Sequence, residues 1–249
     1  MHRPTPIDRP VPIVHAVTND EIVRRPGFMD RARDVMRALG ERGALQLRAP
    51  RFAASDAASF LSMARSLAAV QAETSAWLVI NDRVDVALIV GARGIQLSGT
   101  SLEPTDASRV IVQVRDRRVH NTTLGEAPGV GASVHSLEEG IAARLGGANW
   151  AVVSHVLARR NGAAHEAPAS EGPRHAHESG NAGVTLLQQL VRHSGLPIVA
   201  IGGIVPQHVT PLRKLGVHGV AAIRGIWDAE NASHSATDYL SAYDSEVGR

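Results

Sequence analysis

The chain has 249 residues, 44% of them hydrophobic, and a formal net charge of +2 at pH 7. This apolar content suffices for one sizeable core, while the near-balanced charge and an aromatic content of 3% argue against a nucleic-acid-binding surface. The absence of cysteine excludes disulfides, thiolate catalysis and cysteine-based metal sites.

The sequence pattern predicts no targeting segment. No stretch approaches the roughly 20 apolar residues of a membrane-spanning helix, and residues 1–10 are polar, without the apolar core of a signal peptide. We therefore expect a soluble, cytoplasmic protein with no membrane partner. Residues 1–11 are interpreted as an N-terminal extension and residues 12–249 as one folded domain.

Short apolar runs alternate with longer amphipathic stretches along the chain. The short runs predict eight strands, and the stretches between them have helical spacing. The predicted strands are 12–17, 43–47, 76–80, 94–97, 130–134, 148–154, 196–201 and 219–223. The helices with the clearest pattern are 28–40, 55–70, 105–117 and one that begins near residue 206.

Two helix starts carry capping signals. Asn81 and Asp82 precede an apolar stretch that ends at Val90, so they are expected to cap that helix. Ser136 is followed three residues later by Glu139, which is the pattern of a capping box.

Eight strands with intervening helices, in a chain of this length, predict a single-domain (β/α)8 TIM barrel. A doubly wound open sheet is the alternative. In a barrel of this kind the chemistry lies at the carboxyl ends of the strands. The residues that end each predicted strand are therefore the candidates for the active site.

Residues 158–181 interrupt the alternation. They have no periodicity and are rich in Gly, Ala, Pro and His. Loops of this length are typically lids or disordered, so we expect a mobile lid at the mouth of the barrel. The spacing of His165, His175 and His177 fits no standard ligand pattern and few carboxylates accompany them, so we predict no metal site.

His155 ends the sixth predicted strand. A histidine at that position can exchange protons near neutral pH, which makes it the candidate catalytic residue. A structural histidine that only makes a hydrogen bond is the alternative.

The seventh and eighth predicted strands end in the pattern of a phosphate site. Gly202 and Gly203 follow the seventh strand, and Ile223 and Arg224 follow the eighth. Barrels that bind phosphate place it between these two loops, where glycines let backbone N–H groups approach its oxygens. Ordinary turn glycines are the alternative, and Arg224 could equally face solvent.

Four more residues are candidates for substrate binding. Gln46 and Arg48 end the second strand, and Arg48 could hold a carboxylate or phosphate oxygen. Asn81 follows the third strand, and Ser133 near the end of the fifth could contact the substrate.

Five segments together resemble the thiamine phosphate synthase superfamily. They occur in the family's order and lie at 78–88, 94–97, 131–139, 197–204 and 219–223. The resemblance implies a (β/α)8 barrel that binds a thiazole phosphate in thiamine biosynthesis. A small-molecule thiazole phosphate is thus the implied partner, and a homodimer is a family-level expectation.

The synthase branch joins a pyrimidine pyrophosphate to the thiazole phosphate, and it uses Mg²⁺ and cations to stabilise the departing pyrophosphate. The resemblance implies metal-binding aspartates after the third and fourth strands and a lysine two positions after Gln-x-Arg. Asp82 matches the first aspartate, but Ser101 stands at the second and Pro50 at the lysine.

After the sixth strand, His155 stands at the synthase's proline, and a further lysine position falls near Gly162. Arg159 or Arg160 could compensate for the missing lysine.

The thiazole tautomerase branch shares the strings at 133–139 and 154–157, although Ser154 and Leu157 depart from it. Its acid/base histidine falls on His155. We therefore predict a tautomerase-like isomerase that makes a carboxythiazole phosphate aromatic by proton transfer, with Arg48 and Ser133 positioning the ring. This reaction needs no metal or cofactor. The alternatives are an Mg²⁺-dependent thiamine phosphate synthase and a non-catalytic thiazole phosphate-binding regulator.

Overall fold

The computed structural model describes residue 7 and residues 9–118, 126–154 and 181–245. Eight parallel strands close into a barrel, each pairing with the next and the last with the first. The strands are β1 Val14–Val17, β2 Gly43–Leu47, β3 Trp77–Asn81, β4 Gly94–Leu97, β5 Gly129–Val134, β6 Trp150–Val153, β7 Ile198–Ile201 and β8 Gly219–Ala222. The predicted barrel is confirmed, and the open sheet is wrong because β1 pairs with β8, with Val14 opposite Val220.

Helices surround the barrel. They are α1 Phe28–Leu39, α2 Pro50–Ser55, α3 Ala57–Thr74, α4 Val84–Val90, α5 Pro104–Arg118, α6 Leu137–Leu145, α7 Asn181–His193, α8 Pro206–Lys214, α9 Arg224–Trp227 and α10 Ala232–Asp244. The helix predicted at 55–70 corresponds to α3, which begins two residues later because the Asp56 side chain accepts a hydrogen bond from the Ser59 N–H and caps it.

The two predicted caps have different outcomes. The Ser136 hydroxyl accepts from the Glu139 N–H as predicted, although the Glu139 carboxylate accepts from the His135 N–H and not from that of Ser136. The cap by Asn81 and Asp82 is wrong, since α4 begins after Arg83 with no side-chain capping bond.

Alternate residues of each strand face two different environments. One set packs against the helices and includes Leu45, Leu78 and Ile95. The other set fills the barrel interior and includes Val17, Ala44, Trp77, Val79, Trp150, Val152, Val199 and Ala221. Val11 and Ile7, in the predicted extension, pack against this interior set. The remaining domain prediction, a lid at 158–181, lies outside the described residues except for Asn181, which begins α7.

Trp150 occupies the centre of the barrel. Its side chain is fully buried and its ring lies 6.3 Å from that of Trp77, edge to face. A Cβ atom at Gly131 would overlap the indole ring, and one at Gly94 would lie 3.2 Å from it. Glycines on the two preceding strands therefore make room for the ring.

In the part of the chain that the structure describes, no helix is long and apolar enough to cross a membrane.

His15 is an interior residue with a consequence for stability. Its Nε2 lies 3.0 Å from the Pro12 carbonyl oxygen, and burial lowers its pKa to about 4. An unfolded histidine has a pKa of about 6.5, so the unfolded chain binds the extra proton first as the pH falls. The contribution of His15 to stability is therefore complete above pH ~6.5 and decreases toward pH ~4.

We expect the free energy of unfolding of the wild type to fall by about 2–3 kcal/mol more than that of His15→Gln between pH 7.5 and 4.5. Urea unfolding at the two pH values measures this difference. His234→Gln is the matched control, because it removes a histidine whose side chain is 76% exposed, and the loss should be specific to position 15. Equal pH dependence of wild type and His15→Gln would refute the assignment.

Candidate functional site

Amide side chains from neighbouring strands meet at the carboxyl end of the barrel. Gln46 of β2 is buried, and its Nε2 donates to Asn81 Oδ1 at the end of β3 over 2.8 Å. The Asn81 Nδ2 then donates to the Asp82 carboxylate over 2.7 Å. Two residues predicted to bind substrate, Gln46 and Asn81, are thus brought together.

Asp82 lies just beyond β3 with φ of 59°, a left-handed conformation that is uncommon for a non-glycine residue. Its Oδ1 accepts from the Ser98 N–H at 2.7 Å, and its Oδ2 accepts from the Ser98 hydroxyl at 2.9 Å. Asp82 therefore holds the loop after β4 and does not cap α4. A carboxylate has about four acceptor positions, and three donors from the described residues occupy Asp82, so within that part of the chain one position on Oδ1 remains.

Gln96 of β4 links the barrel centre to the site. Its Oε1 accepts from the Trp150 indole N–H at 2.9 Å, and its Nε2 donates to the Ser133 hydroxyl at 3.3 Å and to the Leu97 carbonyl at 3.2 Å. Gln96 is absent from the sequence predictions. The signal for it was available, since Gln96 is a polar residue in an apolar run, two positions after Gly94 and hence on the same face.

Arg48 follows β2 on the same inward face as Gln46. The Thr18 hydroxyl accepts from the Arg48 N–H at 2.9 Å and donates to the Arg48 carbonyl at 3.0 Å, which fixes the backbone there. The side chain is half-buried. Its guanidinium makes no hydrogen bond or ion pair with any described residue, so its positive charge is available to an anion.

The two glycine loops predicted to bind phosphate are held together by α10. Gly202 and Gly203 have φ of 119° and 65°, which glycine adopts readily. Tyr239 donates its hydroxyl to the Ile204 carbonyl at 2.7 Å, and burial raises the pKa of Tyr239 to about 12. A Cβ atom at Gly225 would overlap the Tyr239 hydroxyl.

The neighbouring residues complete the second loop. Ile223 is half-buried and precedes α9, and the Arg224 side chain is exposed without a hydrogen bond to the described part of the chain. The Ser235 hydroxyl donates to the Gly225 carbonyl at 2.7 Å, which again ties the loop to α10.

His155, the predicted catalytic residue, lies outside the described residues, as do Arg159, Arg160, Gly162 and the three histidines of the 158–181 segment. His135 is described and is exposed, with its Nδ1 3.3 Å from Glu139 Oε2. Over 9–118, 126–154 and 181–245, no group of three or more His, Cys, Asp or Glu side chains could hold a metal ion.

A cavity of about 340 Å³ lies at the other end of the barrel, where Val11, Arg42, Trp77 and His218 line it. Its Arg42 already forms a two-pronged ion pair with Asp244. Active sites of TIM barrels lie at the opposite, carboxyl end, where the polar groups described above converge.

The family model and the sequence relatives identify the same family. The family model described as thiamine monophosphate synthase matches residues 14–226. A thiamine-phosphate synthase from Methanoculleus marisnigri is 29% identical over 238 residues, which cover 94% of this chain and 97% of the relative. One from Pyrococcus furiosus is 30% identical over 186 residues, 74% of each chain.

The fold comparison is consistent with these matches. The solved structure of thiamine phosphate pyrophosphorylase from Pyrococcus furiosus has a TM-score of 0.67 to this chain at 22% identity, and the match covers 93% of this chain and 95% of that one. At this identity the likeness shows the fold.

The prediction of a tautomerase-like isomerase is wrong, because relatives that match most of the chain are named thiamine-phosphate synthase. That prediction depends on two short strings, at 133–139 and 154–157, and on changes at Pro50 and Ser101. Similarity spread over most of the chain outweighs them.

The hydrogen bond from Tyr239 to the Ile204 carbonyl can be tested by mutation, because it ties α10 to the loop after β7. Tyr239→Phe leaves the buried Ile204 carbonyl without this partner, so we expect the free energy of unfolding to fall by about 1–3 kcal/mol. Urea unfolding measures the change. Tyr243→Phe is the matched control on α10, because no hydrogen bond of the Tyr243 hydroxyl to a described residue would be lost. A Tyr239→Phe protein as stable as that control would rule out the proposed tie between α10 and the loop.

Proposed function

Because this chain belongs to the thiamine monophosphate synthase family, we propose that it joins a pyrimidine pyrophosphate to a thiazole phosphate and releases pyrophosphate. In this group transfer the bond between the pyrimidine unit and pyrophosphate breaks and a bond to the thiazole forms. Pyrophosphate leaves with the electron pair of the broken bond, so neither an oxidant nor a reductant is needed.

The observation that carries the proposal is the set of groups at the carboxyl end of β2 and β3. Arg48 supplies a half-buried guanidinium with no anionic partner among the described residues, and Gln46 and Asn81 supply amide groups at the same end of the barrel. A guanidinium pairs with phosphate oxygens through two parallel hydrogen bonds. We propose that Arg48 stabilises the charge that develops on the leaving pyrophosphate.

The glycine loops suit the second phosphorylated substrate. Backbone N–H groups at Gly202, Gly203 and Ile223 would bind the thiazole phosphate, and Arg224 is exposed beside them. Ser133, on β5 between the two regions, would donate a hydrogen bond to the bound substrate. These roles keep the two phosphorylated groups at separate strand ends.

Mg²⁺ is the ion that the family implies. Asp82 would hold it through the acceptor position that remains on Oδ1, and Mg²⁺ is commonly held by one or two carboxylates with substrate phosphates and water. The residues therefore fit a metal that binds together with pyrophosphate. When bound, the ion would neutralise negative charge on the leaving group.

The direct test incubates the protein with both substrates and Mg²⁺ and follows thiamine phosphate and pyrophosphate by ³¹P NMR. We expect both products in equal amounts, and a loss of about 100-fold or more in kcat for Arg48→Ala. Arg51→Ala is the matched control, since Arg51 is exposed on α2, and it should retain activity. Substrate binding without product would contradict the proposal and indicate a non-catalytic binder.

A second test concerns the metal. Ser101 stands at the family's second aspartate, and its N–H donates to the carbonyl of Ser98, the residue that holds Asp82. Mn²⁺ serves as the probe for the Mg²⁺ site, with pyrophosphate present. Ser101→Asp should lower the Mn²⁺ concentration that half-saturates the protein about tenfold, because it adds a carboxylate. Electron paramagnetic resonance of free Mn²⁺ measures this, and Ser101→Asn controls for size. Equal affinities in the two variants would place the metal elsewhere.

A further inference from the structure

We propose that Gln96 and Trp150 are positioning residues that orient the Ser133 hydroxyl to donate a hydrogen bond to the bound ligand. The inference rests on the proposed function, in which Ser133 contacts the substrate. It adds two residues that lie below the site and act through Ser133.

The direction of each hydrogen bond follows from the donor chemistry. An indole N–H can only donate, so the Gln96 oxygen must face Trp150, at 2.9 Å. The Gln96 NH₂ group, which can only donate, then faces Ser133 Oγ at 3.3 Å and the Leu97 carbonyl at 3.2 Å. Ser133 Oγ is therefore an acceptor in this chain, and its own hydrogen points away from Gln96.

The Ser133 hydrogen is consequently available to a ligand. The hydroxyl donates to no described residue, and Ser133 is half-buried at the inward face of β5, opposite Val152 of β6. Ionised phosphate oxygens only accept hydrogen bonds, so a hydroxyl held as a donor matches a phosphorylated ligand. The thiazole phosphate and pyrophosphate share this chemistry.

Packing prevents the chain of bonds from reversing. Trp150 is fully buried and packs edge to face on Trp77. Gly131, beneath Ser133 on the same face of β5, has no space for even a Cβ atom between the indole and the Gln96 oxygen. A flipped Gln96 amide would bring two donors together at Trp150 and leave both without an acceptor, which is costly in a buried site.

The test is a double-mutant cycle between positions 150 and 133, read by calorimetry as the Kd of thiamine phosphate and, separately, as the Kd of pyrophosphate, and judged on the ligand whose Kd rises in Ser133→Ala. Trp150→Phe removes the indole N–H and retains an aromatic ring. We expect Trp150→Phe and Ser133→Ala each to raise Kd about five- to tenfold. The double variant should bind no more weakly than Ser133→Ala alone, because both changes remove the same donated bond.

Trp77→Phe is the matched control. Trp77 lies in the same interior cluster, and Trp77→Phe removes the same volume without a bond to Gln96. Trp77→Phe can change Kd by any factor, but the double variant Trp77→Phe/Ser133→Ala should show the product of the two single-variant factors, because the two changes act independently. Gln96→Glu provides a second variant should Trp150→Phe fail to fold, since an ionised carboxylate can accept from Trp150 but cannot donate to Ser133.

Separate titrations with inorganic phosphate and inorganic pyrophosphate identify the ligand group, since the Ser133→Ala effect should persist for one of them. The positioning role would be overturned if the effects of Trp150→Phe and Ser133→Ala on Kd multiplied independently. It would also be overturned if Trp150→Phe left Kd unchanged. Failure of the wild type to bind thiamine phosphate would overturn it together with the proposed function. If positions 150 and 133 are coupled as expected but the protein forms no thiamine phosphate, only the proposed function is overturned.

Discussion

The indole N–H of Trp150 constrains the whole interior of this barrel. A buried donor without an acceptor destabilises the folded state, and here Gln96 supplies the acceptor at 2.9 Å. The indole fits because Gly94 and Gly131 stand on the preceding strands, where any side chain would meet the ring. One aromatic residue thus determines which residues its neighbours on β4 and β5 can be, and it fixes the orientation of the amide that leads to Ser133.

The interior changes in character from one end to the other. The lower and central parts hold Trp77, Trp150 and His15, and burial keeps His15 uncharged near neutral pH. Gln46, Asn81, Gln96 and Ser133 follow at the carboxyl ends of the strands, joined by hydrogen bonds in pairs. Charged groups lie beyond them, with Arg48 after β2 and Asp82 after β3. The carboxyl end of the barrel therefore has a polar surface above an apolar core, and the proposed function places the phosphorylated substrates there.

Asp82 and Arg48 differ in how far hydrogen bonds from the protein balance their charges. Asp82 is held by Ser98 and Asn81, so its negative charge is largely balanced by donated hydrogen bonds. Arg48 has no such partner in the described ranges, and in the proposed function its positive charge would bind a phosphate group. The resemblance places a lysine at the position of Pro50, which starts α2, so in the proposed function Arg48 is the cation of this segment that would bind pyrophosphate.

Sequence patterns predicted the fold well because hydrophobic periodicity is local. The bounds of β2 and β4 agree residue for residue with the predicted strands, and α8 begins at the predicted Pro206. The role of Asp82 could not be predicted in this way, since its partner Ser98 lies 16 residues further along the chain. The bond from Trp150 to Gln96 spans 54 residues, and it is visible only when the register of the closed barrel is known. The tautomerase prediction failed for a related reason, because it depended on two short local strings, whereas the similarity to the synthases extends over most of the chain.

A crystal structure of the protein with thiamine phosphate, pyrophosphate and Mg²⁺ tests the central claim most directly. The account predicts pyrophosphate within hydrogen-bond distance of the Arg48 guanidinium, the phosphate of the product on the loops at Gly203 and Ile223, and the Ser133 hydroxyl bonded to the ligand. Ligand density confined to the cavity beside Trp77 and His218, or a carboxyl end that stays free of ligand at saturating concentration, would contradict it.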